Sequence, residues 1–359
     1  MNYEILMREC INLAKLGEGK TSPNPLVGAV VLDKNNNIIS KGYHQKYGEN
    51  HAERNALINL SDEQCIGGTV IVNLEPCSHY GKTPPCADLI IEKGIKKVVI
   101  GMCDVNPIVA GNGIKKLKAA DIEVIEGVLE DECKKLNEIF IKNMTEHKTF
   151  VAIKSASTLD GKISTSRGIS KWITSENARN EGKRLRLKYD AIMTSSSTII
   201  ADNPSMLHNK KVIIDRELKT DFLTSEIYKS GISYVFYDKN ISPERTERVL
   251  SAIKQNDSII LYPSEVSANK IDLGFVLNKL YELGIMSVFV EAGGHLNGSM
   301  LKYADKIYQF IAPKILGDNT GLSSYNHRIA DTLDDINNFR IDSAEIFPPD
   351  ILLTLYPVK

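Results

Sequence analysis

HAERNALINLSDEQCIGGTVIVNLEPCSHYGKTPPC, residues 51–86, governs the reading of everything around it. The stretch opens on His51, Ala52 and Glu53 and closes on Pro76, Cys77, eight intervening residues and Cys86. One imidazole and two thiolates give a zinc ion three protein ligands and leave a fourth tetrahedral position open to water, as a catalytic rather than a structural site requires. Water held there drops from a pKa of 15.7 to roughly 7. A carboxylate that does not bind the metal must still carry protons to a leaving group, and Glu53 stands two residues past the histidine.

Geometry restricts how this can be built. Positions i and i+2 point to different sides of a regular helix, so His51 and Glu53 face one ion together only from a helix's first turn. Ala56, Leu57, Ile58 and Leu60 fall at helical spacing, which sets the helix start near His51. Cys86 precedes a second helical run, residues 87–93, and a helix N-terminus favours the thiolate that zinc needs. Residues 69–74 read as the strand that delivers Pro76 and Cys77. Taken singly, His51 reads as a satisfied core histidine and the two cysteines as buried thiols. A purely structural zinc would want a fourth ligand, for which His79 is the nearest candidate.

Zinc deaminases of nucleobases combine these same parts. The segment NLEPCSHYGKTPPC, residues 73–86, resembles the signature of the bifunctional riboflavin-biosynthesis deaminase/reductases, and its eight-residue gap separates it from the P-C-x-x-C spacing of cytidine and tRNA adenosine deaminases. The resemblance extends over nearly the whole chain. It implies an α/β protein with an N-terminal cytidine-deaminase-like three-layer domain, residues 1–146, and a C-terminal dihydrofolate-reductase-like domain, residues 147–359. It also implies Zn2+ and NADPH as cofactors and a pyrimidine ribosylamine phosphate as the small-molecule substrate. Within the first domain it gives Asn24, in the Pro23-Asn24-Pro25 segment, a hydrogen bond to the pyrimidine. His79 and Lys82 then serve the ribose phosphate, the alternative being ordinary exposed loop side chains. One departure precedes His51, where relatives carry a glycine-proline approach and this chain has Gly48, Glu49 and Asn50.

Read in order, the first half is a helix (residues 3–16), a proline-rich loop, and a hairpin of strands 27–32 and 38–43. Gly28 inside the first strand predicts the close approach of another group. Beyond Cys86 helices 87–93, 113–120 and 130–143 alternate with strands 97–101 and 123–126, which argues for a helix-covered, largely parallel sheet. The Asp104-Val105-Asn106-Pro107 turn at a strand's end is where such a sheet binds ligands. The polar stretch 143–148 marks the domain boundary.

The second half opens with the strand 150–156 and lacks a G-x-G-x-x-G fingerprint. Its glycine cluster, Gly293, Gly294 and Gly298, follows the apolar strand 287–291 and precedes a helical run, so phosphates could approach free main-chain N–H groups there; a plain tight turn is the competing reading. By resemblance, Ala156, Trp172, Thr198, Asp202 and the turn Gly293, Gly294, His295, Leu296, Asn297, Gly298 and Ser299 contact the nicotinamide cofactor. Lys154, Ser170, Arg186, Met206 and Glu291 contact substrate by the same correspondence. Lys154, Asp202 and Glu291 are the polar candidates for proton supply and orientation. Trp172 alone reads as a packing residue and Arg186 as part of a solvated basic face. After Pro204 relatives carry a leucine-threonine run and an arginine for the substrate phosphate; here Ser205 to Met206 lead through Leu207, His208 and Asn209 to Lys210 and Lys211, which bring charge without the planar fork of arginine.

Composition bounds the rest. The 359 residues suffice for two cores, and 44 basic against 45 acidic residues leave no excess to attract a phosphate backbone, so a nucleic-acid substrate is not expected. The N-terminal MNYEILMREC has no leader pattern, and apolar runs such as residues 27–32 fall far short of the roughly 20 a membrane span needs. A cytoplasmic, homo-oligomeric enzyme with reduced cysteines is the expectation. Two rivals stand beside it: a monofunctional zinc deaminase whose C-terminal domain only binds substrate or oligomerises, and a zinc-stapled binding module without turnover.

Overall fold

The computed structural model of the protein describes residues 2–80, 84–106, 110–254, 256–326, 332 and 335–358. The chain divides into two compact units, Met1–His147 and Lys148–Lys359.

In the first unit, the Asn2 side chain caps α1 (Tyr3–Lys15) by accepting the main-chain N–H of Glu4 and Ile5. Strands β1 (Gly28–Leu32) and β2 (Ile38–Tyr43) form the expected hairpin, and helices α2 (Ala52–Leu57) and α3 (Asp62–Cys65) follow. Then come β3 (Thr69–Leu74), α4 (Cys86–Glu92), β4 (Lys97–Met102), α5 (Asn112–Ala119), β5 (Glu123–Ile125), α6 (Glu130–Leu136) and α7 (Glu138–Glu146). The sheet runs β2-β1-β3-β4-β5, with β1 antiparallel to both neighbours and β3, β4 and β5 parallel. Parallel pairing requires crossovers, which α4 and α5 supply. Every residue of β1 and of β3 is buried, which is why both read as continuous apolar runs rather than alternating ones. The approach predicted at Gly28 is that of α1, since a Cβ there would overlap the Cys10 carbonyl oxygen.

The helix expected over 130–143 is instead two. Asn137 leaves helical geometry between α6 and α7, and its side chain accepts the Leu26 N–H at 2.7 Å while donating to the Leu26 carbonyl at 3.0 Å. Asn73, fully buried on β3, holds the same strand entry by accepting from Gly28 N–H at 2.7 Å and donating to Leu26 O at 2.9 Å. Between them the two amides satisfy the buried main chain that follows Asn24.

The second unit comprises β6 (Phe150–Thr158), α8 (Glu176–Arg186), β7 (Ala191–Ser195), α9 (Ser196–Asp202), β8 (Lys210–Ile214), β9 (Ile232–Asp238), α10 (Pro243–Ile253) and β10 (Ile259–Ser264). A two-residue ribbon, β11 (Val266–Ser267) with β12 (Lys270–Ile271), leads to α11 (Leu273–Glu282), β13 (Ser287–Glu291), α12 (Gly294–Met300), β14 (Lys306–Ala312), β15 (Phe339–Phe347) and β16 (Asp350–Pro357). Nine strands lie in the order β10-β9-β8-β7-β13-β6-β14-β16-β15. All neighbours are parallel except at the β14-β16-β15 end. Strand β15 had no sequence signal: a register shift between Ile341 and Ser343 breaks its alternation, and it lies at a sheet edge.

Segment 205–211 corrects the reading of a charged phosphate loop. Lys210 and Lys211 open β8, and Lys211 is fully buried, donating to the Ile227 carbonyl at 2.8 Å and to the Ser230 carbonyl. Its amine is spent on interior carbonyls and is not available to a ligand. Met206, expected at substrate, has its side chain in the apolar cluster with Ile192, Ile199 and Phe222, so only its main chain remains for such a contact. Among the described residues, no helix is long and apolar enough to cross a membrane.

Candidate active site

His51 is the residue that caps α2, extended at φ −70° and ψ 164°, so Glu53 falls in the first helical turn. Cys77 lies just beyond β3, and Cys86 is the first residue of α4. His51 Nδ1 lies 3.4 Å from Cys77 Sγ and 3.5 Å from Cys86 Sγ, and the three donor atoms all lie within 4.8 Å of one another. Zinc bonds of about 2.0 Å to nitrogen and 2.3 Å to sulfur at tetrahedral angles give an N···S edge of about 3.5 Å, so this donor set has the dimensions of a zinc site. Among the described residues no fourth side chain joins it; His79, the candidate for a closed site, is exposed at the cavity rim.

Electrostatics within the set divide the two thiols: donation to Cys77 and burial push Cys86 well above the ordinary thiol range, while Cys77 is held below it. The Cys77 sulfur receives the Cys86 thiol, the His51 ring and the Cys86 main-chain N–H at 3.3 Å, which together hold it down to about 4 despite burial. Its hydrogen bond to Cys77 raises His51 against the opposing effect of burial. Burial pushes the Glu53 carboxyl up to about 7, only partly offset by the neighbouring His51. A bound dication would pull it down again.

A cavity of ≈ 290 Å³ opens over these groups, close to the smallest pockets that hold metabolite-sized ligands. Asn24, Glu53, Cys77 and His79 line it together with Asp104 and Asn106 from the turn after β4. Burial pushes the Asp104 carboxyl up to about 6. Lys82 lies outside the described residues. His44, which the sequence did not single out, is buried and joins the site: its Nδ1 lies 3.0 Å from the Asn50 carbonyl and its Nε2 3.2 Å from Asn24 Nδ2. A carbonyl only accepts, so Nδ1 carries the proton in the neutral ring and Asn24 donates to Nε2, which turns the Asn24 carbonyl the other way. The hint was its position at the end of β2, beside the loop that leads to His51. Within the altered approach Gly48-Glu49-Asn50, the Asn50 main-chain carbonyl also receives the Asn55 amide at 3.4 Å.

In the second unit, three predicted residues converge. Glu291, at the end of β13, accepts from Lys154 Nζ at 3.1 Å and from Arg186 Nε at 2.6 Å, its side chain only 19% exposed. Burial alone would raise this carboxyl, but the Lys154 and Arg186 charges outweigh it and hold Glu291 down to about 2. Its contribution to stability is therefore complete above the ordinary glutamate range and lost as pH falls towards 2. Thermal melts should show the stability advantage of the native protein over Glu291→Gln shrinking between pH 4.5 and about 2, and staying constant above.

The remaining reductase positions divide. Thr198 Oγ1 accepts from the Gly293 N–H at 3.3 Å, and Ser170 Oγ donates to Asp202 Oδ1 at 3.4 Å, forming two small polar groups on the β7 and β13 side. Ala156 is half-buried on β6, and Trp172, 65% exposed, is covered on one face by the Arg179 guanidinium at 4.3 Å. The glycine turn differs from expectation. A Cβ at Gly294 would overlap the Ser323 carbonyl and one at Gly298 the Asn326 carbonyl, so these glycines admit protein main chain rather than a phosphate. Only Gly293 faces open space. Leu296 and Asn297 are buried, while His295 is exposed and Ser299 donates to the His295 carbonyl at 3.0 Å.

Comparison with known proteins agrees with this two-part architecture. A cytidine and deoxycytidylate deaminase zinc-binding region matches residues 1–102, and a RibD C-terminal domain matches residues 149–353. The riboflavin biosynthesis protein RibD of Actinobacillus pleuropneumoniae is 39% identical over 97% of this chain and 93% of its own. The crystal structure of a diaminohydroxyphosphoribosylaminopyrimidine deaminase/5-amino-6-(5-phosphoribosylamino)uracil reductase from Thermotoga maritima superposes with a TM-score of 0.87 at 38% identity, covering 99% of both chains. RibD of Acinetobacter baumannii gives a TM-score of 0.85 at 33% identity over 99% of both. Matches in both halves favour two activities over a deaminase with an idle second domain, and over a binding module. With a zinc-binding deaminase region in one unit and a reductase domain in the other, the chain belongs to the RibD family, the bifunctional deaminase/reductases of riboflavin biosynthesis.

Proposed function

We propose that the first unit hydrolytically deaminates a diaminohydroxy-phosphoribosylaminopyrimidine and that the second reduces the ribosyl group of the product to ribityl with NADPH. The observation that carries the first half is the His51, Cys77 and Cys86 donor set with buried Glu53 beside it. These three residues would hold zinc, which when bound supplies Lewis-acid activation of water at neutral pH. Glu53 takes the proton from the attacking water and delivers it to the departing amine; its burial keeps bulk water from competing for that proton. Asn24, held by His44, meets the pyrimidine edge, and His79 with Lys82 meets the ribose phosphate at the rim.

In the second unit, Arg186 and Lys154 present positive charge beside Glu291 at the strand ends where α/β sheets bind ligands. Hydride would pass to the anomeric carbon of the sugar in its open imine form, and Lys154 is positioned by Glu291 to supply the accompanying proton. Thr198, Gly293, Ser170 and Asp202 offer the cofactor hydroxyls, open space beside one glycine and one carboxylate. A cytoplasmic homo-oligomer is part of the same reading.

The test supplies the diaminopyrimidine ribosylamine phosphate with and without NADPH. Ammonia should appear in both cases and cofactor oxidation only after deamination. Treatment with a zinc chelator should stop ammonia release and leave reduction of the deaminated intermediate intact. Reduction without prior deamination, or ammonia release that survives complete metal removal, contradicts the proposal.

A further inference from the structure

Glu75, the residue before Pro76 and Cys77, is a buried carboxylate that no step above employs. Its Oε2 accepts the main-chain N–H of Asp104 at 3.1 Å and of Gly111 at 2.9 Å, and its Oε1 those of Gly113 at 2.9 Å and Ile114 at 3.1 Å. A carboxylate has about four acceptor positions, and all are filled by main chain, two from between β4 and α5 and two from the first turn of α5. Such a concentration exceeds what capping α5 requires, since Gly113 and Ile114 already serve that end. The other two bonds fix Asp104, which with Asn106 lines the cavity, and Gly111, which precedes α5. Asn106 is fixed in its turn through Asp104, whose Oδ1 accepts the Asn106 N–H at 2.8 Å. The contact is tight from both sides, because a Cβ at Gly113 would overlap the Pro76 carbonyl.

We infer that Glu75 is a positioning residue for the deaminase: it locks the segment bearing Asp104 and Asn106 to the strand end that carries Cys77, and so sets the part of the pocket wall that binds the pyrimidine. The inference rests on the deaminase reading of the first unit. Glutamine at this position keeps the shape but replaces one oxygen by an NH2 group that faces two N–H donors, so either Asp104 and Gly111 or Gly113 and Ile114 lose their shared acceptor while the other pair is held. Loss of wall contacts raises KM, whereas the donor set and Glu53, which lie outside this turn, keep kcat.

In the full-length, zinc-loaded protein, Glu75→Gln should raise KM for deamination about tenfold with kcat within about threefold, the scale of one lost hydrogen bond. Zinc content and reduction of the deaminated intermediate should be unchanged. Because Glu75 acts through the turn, Glu75→Gln should add less than about twofold to KM in an Asp104→Ala/Asn106→Ala background. A KM increase of equal size in both backgrounds, or a loss of zinc and kcat at constant KM, would overturn the inference and leave Glu75 a support for the metal ligands alone. Should Glu75→Gln yield no soluble protein, Gly111→Ala loosens the same anchor, because Gly111 has φ +73° with open space around it, and must raise KM in the same direction. An unchanged KM in that variant counts against the proposal. If the native chain releases no ammonia from the substrate at all, the functional reading fails instead, and the two failures are told apart.

Discussion

Glu53→Gln is expected to lower kcat for ammonia release by about 10³-fold, within the range of a positioned general acid-base. Glutamine preserves the volume of a side chain that is only 3% exposed, so the fold and the donor set should persist and zinc should remain bound. KM should change little, since the lost interaction is with protons in flight and not with the resting substrate. Reduction of the deaminated intermediate should be untouched, because its groups belong to Lys148–Lys359. Loss of both activities in a folded, zinc-loaded Glu53→Gln protein would refute the separation of the two sites.

The second large effect is expected at Glu291, and in the opposite half. Glu291→Ala strips two cations, Lys154 and Arg186, of their shared partner in a site where each of the three side chains is less than a fifth exposed. Breaking a pair at such depth costs about 3–5 kcal/mol when one partner goes, because the remaining charges are left uncompensated. Lys154 then loses its orientation, and kcat/KM for reduction should fall by about 10²- to 10³-fold. Ammonia release should proceed at its native rate. Retention of reduction within about threefold of native, in protein that still binds NADPH, would remove the triad from the mechanism.

What could be read from the chain and what could not follow a physical division. His51, Glu53, Cys77 and Cys86 were legible because chemistry ties residue type to short spacings, and the requirement for a helix start at His51 followed from side-chain direction alone. Gly28 was legible because a glycine inside a strand has few uses, and α1 lies where its Cβ would be. The strands of the first sheet and the strands at 150–156 and 287–291 in the second were legible, whereas β7 went unread and the register shift of β15 destroys its pattern.

Polar residues that act through the backbone were invisible. Nothing in the local sequence distinguishes Asn137, which interrupts a helix to clamp Leu26, from the helical residues around it. His44 carries no spacing signal, because its partners Asn24 and Asn50 are met only after the hairpin folds. Lys211 misled for a related reason: a lysine after a loop reads as charge offered to a phosphate, but β8 turns it inward onto two carbonyls. The glycines of α12 misled because the same absence of a side chain that admits a phosphate also admits a neighbouring strand of protein, here at Ser323 and Asn326.

Deamination depends most on one shared ion, which X-ray absorption at the zinc edge of the purified protein addresses directly. The spectrum should show two sulfur neighbours at about 2.3 Å and two nitrogen or oxygen neighbours at about 2.0 Å, one of them exchangeable with solvent. It should collapse in Cys86→Ser, with zinc content falling below one per chain. A zinc shell closed by four protein side chains, or a fully folded protein that binds no zinc, would contradict that dependence.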